Sequence, residues 1–292
     1  MTTTIELDSL TSSLTTRAML VDLTVRQWRA AKQDRAASTT VSTAYQSSPR
    51  MGHYYKRLLD SDAHAEINRV ATAAYAEHIK RTLPWFDNGQ RVLSSMGYFD
   101  YMTKMTDYIN DFNVAVTKFI QGYHASVNKA RLSLNSLFNE SDYPPASVIS
   151  SKFSMDITIL PLPDAGDFRV TIGDQDDIRT RIDSHVRTAT ELATQDLAGR
   201  IHNAVSHMAN RLKAYNGGRE GSFRDTMVAN VQELVDLIPS LNFTNDANIN
   251  ALHHELADLC LYSPQDLRKD ELARETTTAA ADAILKKMQS IL

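Results

Sequence analysis

The sequence predicts an α+β protein, mostly α. It has two long antiparallel helices with shorter helices after them, and a small antiparallel β-sheet from strands near 19–28, 153–160 and 167–172. Three observations carry this. First, apolar residues recur at steps of three and four from Tyr101 through Met105, Tyr108, Phe112, Val116, Phe119, Tyr123, Val127, Ala130 and Leu134 to Leu137, the spacing of one helical face. Second, the same period returns at Ile178, Ile182, Val186, Ala189, Ala193, Leu197, Ile201, Val205, Met208, Leu212 and Tyr215. Third, between these runs the period drops to two, with Phe153, Met155, Ile157 and Ile159 alternating with Ser154, Asp156, Thr158 and Leu160, which is the signature of a half-buried strand.

Each element follows in order. Residues 1–17 are rich in Thr and Ser and read as a flexible N-terminus. Met19 to Trp28 alternates β-branched and polar residues, so a strand is expected. Residues 29–50 are small and polar and read as a mobile connection, and Arg50 to Leu59 carries a basic cluster. A helix is expected from Asp62, a good N-cap, to about Thr82, with a stripe of Ile67, Val70, Ala74 and Ile79; Pro84 stops it. Trp85 to Gly89 reads as a turn. The first long helix begins near Tyr98 and ends by Tyr143, before Pro144-Pro145; roughly 40 residues at 1.5 Å each make it about 60 Å long. A helix of that length needs a partner alongside it, and the second long helix, 174–215, is the partner expected. Strands 153–160 and 167–172 should pair as a hairpin around Pro161 to Gly166. Asn216-Gly217-Gly218 closes the second long helix. Three shorter helices follow, capped by Ser222, by Asn245 or Asp246, and by Ser263 with Pro264 in its first turn. The expected organisation is a single elongated helical domain over 18–292 with an inserted β-hairpin at 150–173.

Composition narrows the function. Lys and Arg number 31 against 35 Asp and Glu, a formal net charge of −4, with a pI of about 6.1. The chain as a whole is therefore no polycation. Yet residues 1–60 hold eight Lys/Arg against five Asp/Glu, a local +3. The single cysteine, Cys260, excludes an intramolecular disulfide framework and a multi-cysteine zinc site; its Leu259-Cys260-Leu261 setting reads as a buried, inert thiol. No basic-then-apolar leader opens the chain and no apolar run approaches the 18–20 residues of a membrane span, so a cytoplasmic protein is expected, with no membrane partner.

No catalytic signature is present. His64-Ala65-Glu66 and His253-His254-Glu255 place imidazole near carboxylate, but residues one or two apart on a helix face different ways. They do not match the spacing of a helical zinc motif and read as solvated or capping histidines. The glycines around 166, 173 and 217–221 lack the spacing of a phosphate loop. Asp174, Asp176, Asp177 and Asp183 suit a helix start through its dipole better than a cation site. No catalytic residue, metal ligand or cofactor is assigned. Arg50, Lys56 and Arg57, interleaved with Tyr54 and Tyr55, are the candidate phosphate contacts; the alternative is a solvated face with the tyrosines packed behind it. Two helices this long carry more apolar stripe than one partner covers, so a homo-oligomer is expected, with Phe112 and Phe119 as the self-association residues.

At Trp28, Thr82-Leu83-Pro84-Trp85, Phe138-Asn139-Glu140-Ser141-Asp142-Tyr143-Pro144 and Asp167-Phe168-Arg169-Val170 the sequence resembles a bacterial and phage family known as a domain of unknown function. The resemblance spans about Leu20 to Val170. That family occurs in phages and integrative elements, often beside genes for CobS-like AAA+ ATPases and, in some elements, recombination proteins. The resemblance implies a phage or mobile-element origin and a AAA+ ATPase as a partner; it brings no functional residues. Two functions stand as expectations. The first is a non-enzymatic interaction or scaffold protein of a phage or mobile element that self-associates through its long helices. The second is a nucleic-acid-binding accessory protein in phage DNA metabolism.

Overall fold

The computed structural model describes residues 14–86, 89–163, 175–215 and 224–289. The chain is mostly helical, with two long helices, a four-stranded antiparallel sheet in the order β4-β5-β1-β6 and a two-stranded ribbon, β2-β3. The strands are β1 (Ala18–Arg26), β2 (Ala31–Gln33), β3 (Tyr55–Arg57), β4 (Leu83–Pro84), β5 (Arg91–Ser94) and β6 (Ser154–Pro161). The helices are α1 (Arg35–Ala44), α2 (Ala65–Arg81), α3 (Tyr98–Leu134), α4 (Ala146–Ser150), α5 (Gln175–Ala214), α6 (Thr226–Leu241), α7 (Ala247–Asp258), α8 (Pro264–Lys269) and α9 (Glu271–Met288). The chain divides into two compact units, each discontinuous in sequence. Unit 1 comprises 1–22, 78–102 and 158–292; unit 2 comprises 23–77 and 103–157.

In unit 1 the sheet registers Leu20 against Val92 and Val92 against Leu83. The β4-β5 hairpin, which the sequence reading took for a helix stop and a turn, closes with Trp85 N–H donating to the Gln90 carbonyl. Gly89 supplies a φ of +88°, which glycine adopts without steric cost. Pro84 can sit in β4 because that strand is at the sheet edge. The 40-residue α5 packs against α9, α6 and β4, so α9 takes the covering role that the sequence reading gave to the other long helix. The buried stripe of α5 runs Val186, Ala189, Ala193, Leu197, Ile201, Val205, Met208 and Leu212, as its period predicts. At the C-terminal end, one expected helix is two. Asp270, with extended backbone, ends α8 and caps α9, its carboxylate accepting from the Leu272 and Ala273 amides. Ser263 and Asp266 form a capping box on α8.

In unit 2 the 37-residue α3 stops at Leu134. Short 3-10 turns at Asn135–Leu137 and Glu140–Asp142 continue the chain, so the helix is shorter than the run to Tyr143 expected. Asn135, at φ +49°, breaks the helical backbone. Phe112, Val116, Phe119, Tyr123, Ile67, Val70, Ala74, Ile149 and Phe153 are buried. Residues 29–50 are not a connection: they contain β2 and α1, with the Asp34 carboxylate accepting from the Ala37 amide as N-cap. The small hydroxyl residues that suggested mobility instead bond back along α1, Thr39 to the Arg35 carbonyl and Thr40 to that of Ala36. The expected strand 167–172 and the Asn216-Gly217-Gly218 stop lie outside the described residues, as do Ser222 and residues 1–13; residues 14–17 are helical. No helix among the described residues is long and apolar enough to cross a membrane.

A candidate nucleic-acid interface on unit 2

The three candidate phosphate contacts separate by strand alternation. In the β2-β3 ribbon Ala31 opposes Arg57, Lys32 opposes Lys56 and Gln33 opposes Tyr55. Directly opposed residues share a face and successive residues switch faces. Lys32 and Lys56 therefore point one way, and Tyr55 and Arg57 the other. The lysine face is turned into the unit. Lys56 is only 5% exposed, and its ammonium bonds Asp34 at 3.0 Å, Asp142 at 2.8 Å and the Leu137 carbonyl at 2.7 Å. Those three acceptors match the three donors of an ammonium group. Lys32 reaches the same Asp142 carboxylate from the ribbon.

This centre fixes the protonation of its members. Burial pushes the Asp142 carboxyl up, but the hydrogen bonds from Lys32 and Lys56 outweigh it and hold the carboxyl below its ordinary value. Burial likewise disfavours the Lys56 ammonium, and the bonds from Asp142 and Asp34 overcome that and raise it. Asp34 is lowered by the Ala37 amide first and Lys56 second. Asn139 caps the turn that presents Asp142 through the Ser141 amide, and the Tyr143 hydroxyl donates to the Leu58 carbonyl at 2.7 Å. Much of the Phe138 to Pro144 segment thus holds the ribbon in place.

Lys56 is therefore corrected from a phosphate contact to a buried structural ion, while Arg50 and Arg57 remain exposed. The tyrosines are the reverse of the bland expectation: Tyr55 is 63% exposed and Tyr45 80%, with Tyr54 also at the surface. The segment 26–57 that carries them is cationic. Arg26, Arg29, Arg35, Arg50 and Arg57 are all exposed, and none joins an ion pair among the described residues. Asp34 is the only acidic residue between 26 and 57, and its carboxylate is committed to Lys56. Sequence reasoning passed over Arg26, Arg29 and Arg35, placing them on a strand end and in a mobile stretch. The +3 over residues 1–60 was the signal, and Tyr55-Lys56-Arg57 itself shows the alternation.

Phe112 and Phe119 do not form a self-association surface. Phe112 is fully buried and Phe119 nearly so, and the Phe119 ring lies 5.5 Å from Phe153 and 4.6 Å from the His64 imidazole. His64 is no solvated histidine: Trp28, Phe119 and Phe153 surround it. Its Nε2 is buried without a hydrogen-bond partner among the described residues, and burial lowers its pKa. In unit 1, His78 is buried beside Tyr101, with Nδ1 2.8 Å from the phenol oxygen. Burial, then the charge of Arg91, lowers it to about 4. Cys260 is half-buried, and burial, then Asp236, pushes its thiol up to about 11. His254 Nδ1–H donates to the Asn250 carbonyl, and Glu255 pairs with Lys287. Among the described residues no group of three or more His, Cys, Asp or Glu is placed to hold a metal ion. No protein-family model matches the chain, and no curated protein or solved structure does.

Proposed function

We propose that this protein binds single-stranded nucleic acid through the arginine- and tyrosine-bearing surface of unit 2. The observation that carries the reading is the sidedness of the β2-β3 ribbon. Its lysines are consumed by internal carboxylates, while Tyr55 and Arg57 stand together on the outer face, next in sequence to exposed Tyr54. Unpaired guanidinium groups supply sequence-independent attraction to phosphate, and exposed rings supply stacking platforms for bases. Bases in a duplex are already stacked, so exposed tyrosines favour a single strand. The self-association reading loses its support because Phe112 and Phe119 are covered by their own unit. A mobile-element setting with a AAA+ ATPase partner, as the resemblance implies, suits a strand-binding accessory, and the reading requires no catalytic residue.

Fluorescence anisotropy with a labelled oligothymidylate and a matched duplex tests this. The expected result is binding of the single strand that weakens with salt. Arg50→Ala with Arg57→Ala should reduce affinity and flatten the log-log salt slope by about 1.4, at roughly 0.7 per phosphate contact on a single strand. No binding at about 50 mM salt refutes the reading.

A further inference from the structure

Unit 2 has an open groove of about 730 Å³ beside the exit of β1, lined by Val25, Arg26, Gln27, Arg29, Asn68, Ala71, Thr72 and Tyr75. Its floor is a single face of α2, since 68, 71, 72 and 75 are at i, i+3, i+4 and i+7. The adjoining stripe of that helix, Ile67, Val70 and Ala74, is buried, so α2 is anchored along one side while Asn68, Thr72 and Tyr75 are exposed. Arg26 and Arg29 are exposed on the other wall, and no Asp or Glu lines the groove. Tyr75 is 53% exposed at the edge of the same space.

The geometry points to this groove as a nucleotide-binding subsite, in which Arg26 and Arg29 hold backbone phosphate, the Tyr75 ring stacks on a base, and the Gln27 and Asn68 amides bond its edge. The inference rests on the single-strand reading above and adds to it a defined position. Four features favour a nucleotide over other anions. Two guanidiniums with no carboxylate between them suit a phosphodiester. An aromatic face beside them suits a base. Side-chain amides carry both a donor and an acceptor, as a base edge does. The volume lies within the range of small-molecule sites, and the groove is open rather than enclosed, so a continuous strand can enter and leave.

The test uses the full chain and an oligothymidylate carrying one 5-iodouracil. Ultraviolet crosslinking followed by peptide mapping should place the crosslink on Tyr75. Tyr75→Phe should bind as the unaltered protein does, while Tyr75→Ala should lose about five-fold or more, from the ~1–3 kcal/mol of a base–aromatic stack. Arg26→Ala with Arg29→Ala should lower the salt slope by about 1.4, with the thermal melt unchanged. If the oligonucleotide binds but crosslinks elsewhere, and Tyr75→Ala and the double arginine variant bind normally, the groove assignment is overturned while the broader function stands. If the unaltered chain binds no oligonucleotide, the broader function falls and this inference with it.

Discussion

Lys56 shows how one side chain's meaning depends on what approaches it. In the sequence it sits among arginines and tyrosines; in the structure its charge is spent inside the protein on Asp34, Asp142 and the Leu137 carbonyl. Removing one partner from a buried, hydrogen-bonded ion pair leaves an uncompensated charge and costs about 3–5 kcal/mol. Lys56→Met should therefore lower the urea midpoint markedly, while Arg57→Ala, on the outer face, should change the unfolding free energy by less than about 0.5 kcal/mol. The pH dependence has a definite sign. Asp34 and Asp142 titrate below their ordinary value of 3.8 when folded, so their contribution is present above that pH and is lost as pH falls through the folded values. Lys56 titrates above its ordinary 10.5, so its contribution is present below that pH and is lost as pH rises through the raised value. His78 acts in a third window. It is lowered from 6.5 to about 4, so the unfolded chain takes up its proton first, and stability falls as pH drops between those values. The loss is on the order of 3 kcal/mol. A series of urea melts from pH 7 to pH 4 should show it, and His78→Gln should flatten that part of the curve.

At the scale of elements, the structure depends on small residues as much as on large ones. Ala189, Ala193, Ala198 and Ala209 of α5 and Ala281 of α9 are all but inaccessible, and side chains that short let helices lie close. Ala193→Leu should overpack this core and cost about 1–3 kcal/mol, read as a lower thermal midpoint. Phe112→Asp should unfold unit 2, seen as lost helical circular dichroism, because the ring is fully buried. The β2-β3 ribbon depends on sequence-distant bonding. Three residues per strand cannot hold a hairpin in isolation. This one is held by Asp142, which lies 110 residues from Lys32, and by the Tyr143 hydroxyl on the Leu58 carbonyl.

For the molecule as a whole, the charge divides with the units. Unit 2 holds 13 Lys/Arg against 10 Asp/Glu, a formal +3, which leaves −7 for unit 1. An acidic chain can thus carry a cationic face, because attraction to phosphate is local within a Debye length of ~8–10 Å. If all five exposed arginines contact one strand, the log-log salt slope should be near −3.5. Anisotropy titrations across about 50–200 mM salt measure it, and a slope near zero would remove the electrostatic basis of the reading.

The long helices, the buried stripe of α5, β1, β6 and the helix start at Ser263-Pro264 were legible because helical period, strand alternation and capping are properties of neighbouring residues. The β4-β5 hairpin, α1 and the break at Asp270 were not: two to ten residues offer too little period to outweigh a proline or a run of serines and threonines. The candidate surface was legible as charge and not as geometry. Alternation along Tyr55-Lys56-Arg57 states that Lys56 opposes its neighbours, but which face meets solvent is decided by Asp34 and Asp142. Nor does local sequence bring Arg26 and Arg29 to the outer face of α2, since the lining of a groove depends on packing between segments that chain order leaves some 40 residues apart.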